Sequence, residues 1–131
     1  VDAELGQLTR RRGMWRGEVS PTGGRRVPLA VVGGRDGPDT DALALARTIP
    51  VAFATSRAEI LAALDEHRAP YLPDARAPEP EPEPVYGAVI QLDRMLTIEL
   101  GYRVAWDEEH TLGARLRDGQ LVELNGSVLG P

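Results

Sequence analysis

An unbroken alternation of side chains near the C-terminal end constrains the fold of this chain more than any other feature. Apolar residues occupy every second position over residues 96–106, and Thr97, Glu99 and Arg103 lie between them. Side chains alternate between two faces along a β-strand, so this period of two predicts a long strand with one buried face. The predicted buried set is Leu96, Ile98, Leu100, Tyr102, Val104 and Trp106.

Shorter patterns of the same kind predict that this strand belongs to a meander. Asp118-Gly119 is a strong signal for a tight hairpin turn between two further strands. Residues 89–92 are expected to form another strand, which gives three or four antiparallel strands. The apolar positions around the Asp-Gly turn are Leu112, Ala114, Leu116, Leu121, Val122 and Leu124.

Other elements are predicted ahead of the meander. Residues 14–35 are expected to form a β-hairpin, because Pro and Gly residues at its centre supply turn dihedrals. Asp39 or Thr40 can cap a first helix, which Pro50 should end or kink. A Ser-x-x-Glu capping box then predicts that a second helix begins at position 56 and runs over residues 56–68.

Together these elements predict an α+β fold. The N-terminal hairpin and the C-terminal meander form an antiparallel β-sheet, and one or two helices pack on one face. A length of 131 residues suits a single domain over residues 1–131. Residues 1–13 are expected to be a flexible arm. The Pro/Glu-rich residues 69–84 favour neither helix nor ladder and are expected to form an extended connector within the domain.

Charge and composition exclude several classes of protein. The formal net charge is −5, and all 15 basic residues are arginine. Residues 1–35 hold seven arginines and three acidic residues, whereas residues 36–131 hold eight arginines and seventeen acidic residues. This acidic remainder would repel a phosphate backbone, so no nucleic-acid partner is expected. The sequence has no cysteine, no apolar run long enough to span a membrane and no signal-peptide core. The chain is therefore expected to be cytoplasmic, with no membrane partner.

One polar cluster could carry chemistry. Residues 106–110 read Trp-Asp-Glu-Glu-His and lie between two predicted strands. If the strand continued, Asp107 and Glu109 would share one face, and Glu108 and His110 the other. Carboxylates and an imidazole can hold a divalent metal or form an acid–base pair, so Asp107, Glu109 and His110 are candidate metal ligands. The alternative is a polar turn in which His110 is hydrogen-bonded to a neighbouring carboxylate.

A larger site would need a contribution from the second helix. Asp65 or His67, close to the predicted end of that helix, could join Glu109 and His110 if the helix packs beside the cluster. Other catalytic signatures are not found. The Gly-rich loop at residues 33–37 lacks the ending of a P-loop, and no serine has a Gly-x-Ser-x-Gly context.

The same segment resembles a motif of uncharacterised bacterial domains. There a strand runs into a Trp/Tyr-Asp-x-Glu-His-x-x-Gly turn, followed by a short strand, an Asp-Gly turn and a final strand. The resemblance covers residues 96–124. It implies an α+β fold and an unassigned function, and some relatives look like immunity or interaction proteins of bacterial toxin systems. Gly113 is expected to allow a close backbone approach or a positive φ. The motif positions in this chain are Asp107, Glu109, His110 and Gly113.

The function expected from these observations is that of a non-enzymatic protein-interaction domain. An immunity-like role is one form of this function. Its partner is expected to be another protein, of basic character, because an acidic surface is complementary to one. No cofactor is expected. The alternative is a small metal-dependent hydrolase that uses a divalent metal. Formation of a homo-oligomer is a further alternative, because long strands leave edges that can pair with a second copy. The candidate binding residues are Trp106, Asp107, Glu108, Glu109, His110 and Gly113.

Overall fold

Seven strands form one sheet, in which the strand order follows the chain from β1 to β7. The computed structural model of the protein describes residues 5–69 and 81–128. Every neighbouring pair is antiparallel except β3 and β4, which are parallel. The strands are β1 (Thr9–Arg11), β2 (Met14–Val19), β3 (Val27–Val31), β4 (Glu83–Leu92), β5 (Met95–Val104), β6 (Asp107–Arg117) and β7 (Gln120–Val128).

Both helices lie in the connection between the two parallel strands. A tight turn cannot join parallel neighbours, so the chain must cross over between β3 and β4. It does so through α1 (Thr40–Arg47) and α2 (Ile49–Arg68), which pack on one face of the sheet. The predicted α+β fold is therefore confirmed, with two helices and one parallel strand pair. No helix in residues 5–69 and 81–128 is long and apolar enough to cross a membrane.

The main hydrophobic core lies between the helices and the sheet. Side chains from one face of each central strand and from one face of each helix form this core, as the alternation of β5 predicted. Its helical members are Ala42, Ala46, Ile49, Ala52, Ile60 and Leu64, and those from β5 and β6 are Ile98, Leu100, Tyr102, Val104, Leu112, Ala114 and Leu116.

The second helix begins earlier than its sequence signals indicated. The first helix ends at Arg47, before Pro50, as predicted. Pro50 itself lies in the first turn of α2, where a missing N–H group costs nothing. Ser56 is therefore in the middle of α2 rather than at its cap. Its buried hydroxyl donates to the carbonyl oxygen of Gly119 at 2.9 Å, which fixes the helix against the β6–β7 turn. The capping-box prediction is wrong because the Ser56 hydroxyl forms its hydrogen bond with Gly119, in another part of the fold, and not with the first N–H groups of a helix.

The structure also changes the limits of two predicted regions, the flexible arm at residues 1–13 and the extended connector at residues 69–84. Within the expected arm, β1 pairs with β2 and Leu5 is buried, so residues 5–13 belong to the fold. At the end of the expected connector, Glu83 and Pro84 are already part of β4 and pair with β5. Residues 70–80 of the predicted connector lie outside the described residues.

Two tight turns shape the meander. Asp118 and Gly119 have φ values of 52° and 74°, and this left-handed pair confirms the predicted hairpin turn. Asp93 and Arg94 adopt the same conformation, at 51° and 65°, between β4 and β5. The second turn contains no glycine, so the sequence carried a weaker signal for it.

The long strand β5 is buried on both faces, not on one as predicted. Thr97 is 0% exposed and Glu99 is 4% exposed, although both point away from the helices. A buried carboxylate is costly unless it is paired and hydrogen-bonded. The face opposite the helices, here called the open face, therefore contains polar partners for Glu99.

Candidate functional site

The predicted Trp-Asp-Glu-Glu-His cluster forms the turn and bulge between β5 and β6. Between the paired positions Val104–Asp107 and Tyr102–Leu112, β5 has one residue and β6 has four. The extra residues make β6 bulge, so the regular alternation of side chains is lost. This irregularity explains why the predicted arrangement of faces in this segment is wrong.

The bulge brings Asp107 and His110 together. His110 Nδ1 lies 2.9 Å and 3.0 Å from the two carboxylate oxygens of Asp107. The Asp107 side chain is 8% exposed and that of His110 is 45% exposed, so a buried carboxylate orients a half-exposed imidazole. Glu109 is exposed, and the side chain of Glu108 is not among the described parts. The contact is the one expected of the polar-turn interpretation.

Trp106 connects this turn to the second helix. Its indole Nε1–H donates to Nδ1 of His67 at 3.0 Å, and the two rings lie 6.3 Å apart at an angle of 42°. The helix does pack beside the cluster, as the larger metal site required. However, the nitrogen of His67 that faces the turn accepts a hydrogen bond from Trp106, so it holds the helix end in place rather than joining Glu109 and His110.

Gly113 lies away from the cluster, on the open face. A Cβ atom there would be 2.8 Å from Cγ1 of Val128 and 3.2 Å from Cδ of Glu99. The expected close approach is present, without a positive φ. Gly113 thus makes room for the buried carboxylate of Glu99. The motif Asp107, Glu109, His110 and Gly113 therefore combines residues that lie in two different parts of the fold.

Metal addition tests the hydrolase interpretation directly. Among residues 5–69 and 81–128, no three His, Cys, Asp or Glu side chains are grouped to hold a metal ion. We therefore expect that Mn²⁺, Zn²⁺, Mg²⁺ or Ca²⁺ added after chelation leaves the melting midpoint unchanged. A ligand at a hundred times its Kd adds about 2.7 kcal/mol, which is about 8–14 °C for a domain of this size. A shift of that size, lost in His110→Ala, would instead support a metal site at Asp107 and His110.

A groove of about 450 Å³ lies where the helices meet the ends of β5 and β6. We call it the helix–turn groove. Its walls come from α1, the first turns of α2 and the β6–β7 turn, and its floor is continuous with the core. Its apolar lining residues are Leu45, Val51, Ala52, Met95, Leu96, Ile98 and Leu116.

The open face carries a chain of charged and polar contacts around Glu99. The hydroxyl of Tyr86 donates to one Glu99 oxygen at 2.6 Å, and Nε of Arg115 donates to the other at 2.8 Å. Arg115 also binds Glu123 at 2.9 Å. Beside them, Arg117 donates to the hydroxyl of Thr97 at 2.9 Å. These residues, from β4 to β7, tie four strands together.

Burial and hydrogen bonding shift the ionisation of this network. Burial, and then the hydrogen bond to Glu99, raise the pKa of Tyr86 far above its ordinary value. The hydrogen bond with Glu99 is the main cause that raises the pKa of Arg115. Tyr86 therefore stays protonated as a donor, and Arg115 stays charged. Their hydrogen bonds to Glu99 fix these side chains, and neither Tyr86 nor Arg115 is in a form suited to proton transfer near neutral pH.

Sequence reasoning missed both the network and the helix–turn groove. The network had only a weak signal, because Glu99 occupies an expected polar position of the alternation, two positions from Gly101 on the same face. The groove had none, because Val51 and Met95 are far apart in the chain and meet only through the helical crossover. Comparison of the chain with protein-family models, with curated proteins and with solved structures gives no match.

Proposed function

We propose that this chain is a protein-interaction domain without catalytic activity, which binds a segment of another protein in the helix–turn groove. The exposure of large apolar side chains at this groove is the main support for the proposal. Three large hydrophobic side chains are exposed in the described part of the chain, and two of them line this groove. Val51 is 68% exposed and Met95 is 49% exposed. Exposed apolar side chains around a concave, core-lined groove are typical of a binding surface.

The charges at the groove indicate the kind of partner. Asp41 and Asp118 line it, and both are exposed. Arg117 lines it as well, but its guanidinium donates to Thr97 and to the carbonyl oxygen of Leu92, so its charge faces the open face. The groove is therefore apolar at its floor and acidic at its rim. We infer a partner segment with an aliphatic or aromatic side chain flanked by arginine or lysine.

The proposed function is the one predicted from the sequence, but the proposed site lies elsewhere in the fold. The surface expected at residues 106–113 lies at the C-terminal end of α2 and is replaced by one at its N-terminal end, and the basic partner is retained because the rim carboxylates favour it. An immunity-like role, which the resemblance implied, is one form of this function and stays a prediction. The cytoplasmic location stays a prediction as well.

Peptide selection would test the groove and its charge preference together. Phage-displayed random peptides would be selected on the wild-type protein and counter-selected on a Val51→Glu/Met95→Glu double variant. We expect enrichment of peptides in which a leucine, isoleucine or phenylalanine lies next to arginine or lysine. Asp41→Asn and Asp118→Asn should each weaken the best peptide about three- to ten-fold and reduce its dependence on salt.

Val122→Glu provides the matched control. Val122 is 51% exposed on β7, so the substitution introduces one glutamate at the third exposed apolar site of the described residues, outside the groove. We expect the selected peptides to bind this variant as they bind the wild type. Enrichment of acidic peptides, or equal loss of binding in Val122→Glu, would contradict the proposal.

A further inference from the structure

The hairpin of β1 and β2 ends in a two-residue turn at one edge of the sheet. Arg12 and Gly13 form this turn, with φ values of 53° and 79°, and Arg11 pairs with Met14 on either side of it. Strand β1 is an outer strand of the sheet, so the turn lies at a corner of the fold. We call residues 10–14 the basic tip.

The basic tip carries three positive charges without counter-charges. Arg10, Arg11 and Arg12 are all exposed, and in the described part of the chain their guanidinium groups form no ion pair. The other pair of adjacent arginines, at positions 25 and 26, differs because glutamate side chains lie beside it. The charges of the basic tip are therefore available to carboxylates of another molecule.

The helix–turn groove has the complementary charge, and the inference rests on its proposed function as a binding surface. Asp41 and Asp118 are exposed at its rim, and neither forms an ion pair among the residues that the structure describes. The β4–β5 turn beside it adds one charge of each sign, Asp93 and Arg94. An arginine stem can lie on apolar side chains while its guanidinium group reaches a carboxylate. The basic tip, in which arginines adjoin Met14, therefore has the character of the segment inferred for this groove.

The basic tip and the groove lie at the same end of the sheet. Strand β2 is antiparallel to β3, and β3 is parallel to β4 at what we call the parallel seam, so β2 begins at the end where β4 and β6 finish. Neighbouring strands are about 4.8 Å apart, so roughly 20 Å separates the basic tip from the groove along this end. A chain therefore cannot place its own basic tip in its own groove.

We propose that a second copy of this chain supplies the basic tip that occupies the helix–turn groove. When the second copy is turned by half a turn about an axis perpendicular to the sheet, its tip meets the groove of the first copy and its groove meets the tip of the first. The same contact is made twice, which closes a two-fold dimer. Each contact pairs arginines with Asp41 and Asp118 and covers Val51 and Met95. A basic segment of another protein would compete with this dimer for the groove.

Sedimentation velocity of the full chain would measure the dimer, and charge reversal would locate it. We expect a monomer–dimer equilibrium that weakens as salt is added, because the charges are exposed and therefore screened. Arg12→Glu should raise the dimer Kd at least ten-fold, since it places like charges at the groove rim. Arg103→Glu is the matched control. Arg103 is exposed near the other end of β5, and its reversal should leave the Kd unchanged.

A mixture of two variants tests the reciprocal contact itself. Arg11→Glu/Arg12→Glu disrupts the tip and keeps the groove, whereas Val51→Glu/Met95→Glu disrupts the groove and keeps the tip. Each variant alone should be monomeric, because both contacts of its homodimer are lost, and thermal melts would show that each is folded. In the mixture, native mass spectrometry should detect a heterodimer that is weaker than the wild-type dimer, because it keeps one of the two contacts.

The possible results separate this inference from the proposed function. Self-docking is overturned if the wild-type protein stays monomeric, if Arg103→Glu weakens association as much as Arg12→Glu, or if the mixture contains no heterodimer. Peptides that bind the groove of a monomeric wild-type protein would support the proposed function and overturn self-docking alone. A dimer with the expected variant effects, together with no enriched peptide, would support self-docking and overturn the binding of another protein.

Discussion

Replacing Gly101 with alanine should lower the free energy of unfolding by about 3–5 kcal/mol, the largest effect that we expect from a single methyl group in this chain. A Cβ at this position would overlap the ring of Tyr86, which lies directly over the glycine on the open face. The ring must move, and its hydroxyl then loses the 2.6 Å hydrogen bond to Glu99. Urea denaturation would measure the change in the unfolding free energy.

A control glycine and a double variant make this prediction specific. At Gly34 a Cβ would meet no atom within 4 Å, so Gly34→Ala should change stability by no more than about 1 kcal/mol. In a Tyr86→Ala background the ring is absent, and Gly101→Ala should then cost less than about 1 kcal/mol. If the full cost persists in that background, the clash with Tyr86 is not its cause.

The second large effect is expected at the buried carboxylate of the network. Glu99→Gln should destabilise the fold by about 3 kcal/mol, because it removes one charge of a buried ion pair and leaves Arg115 partly uncompensated. The Glu99 side chain is 6% exposed and that of Arg115 is 17% exposed. The midpoint and slope of urea denaturation would give the change, with an unchanged slope expected.

Glu123→Gln is the matched comparison, because Glu123 binds the same arginine from an exposed position. Its side chain is 53% exposed, and exposed ion pairs contribute about 1 kcal/mol or less. We therefore expect its cost to be at most about one third of the cost of Glu99→Gln. Equal costs would mean that burial does not decide the strength of these two contacts.

The sequence predicted the sheet better than it predicted any site. The alternation over residues 96–106 and the Asp118-Gly119 turn depend on local geometry. The strand is present up to Val104, with Trp106 in the turn that follows, and the Asp118-Gly119 turn is present as predicted. The start of α2 was missed because Ser56 is satisfied by Gly119, which lies 63 positions away. The Asp107–His110 contact was expected only in the alternative polar-turn interpretation, because it depends on a bulge that no local residue pattern marks.

Local sequence patterns could not predict the helix–turn groove for the same reason. The groove joins Val51 to Met95, which are far apart in the chain. It depends on the crossover through α1 and α2 that makes β3 and β4 neighbours. Charge gave only a partial guide, because the net charge of −5 does not indicate that Asp41 and Asp118 meet at one groove.

The parallel seam divides the sheet into two units of different folding character. Strands β4–β7 form successive hairpins whose contacts are local in sequence, whereas Leu29 and Gly87, paired across the seam, are 58 positions apart. The seam pairs only three residues of each strand, and its loop-closure entropy must be offset by the packed helices. The seam is therefore the least local strand pairing in the sheet, and it is the pairing whose formation depends most on the packing of α1 and α2.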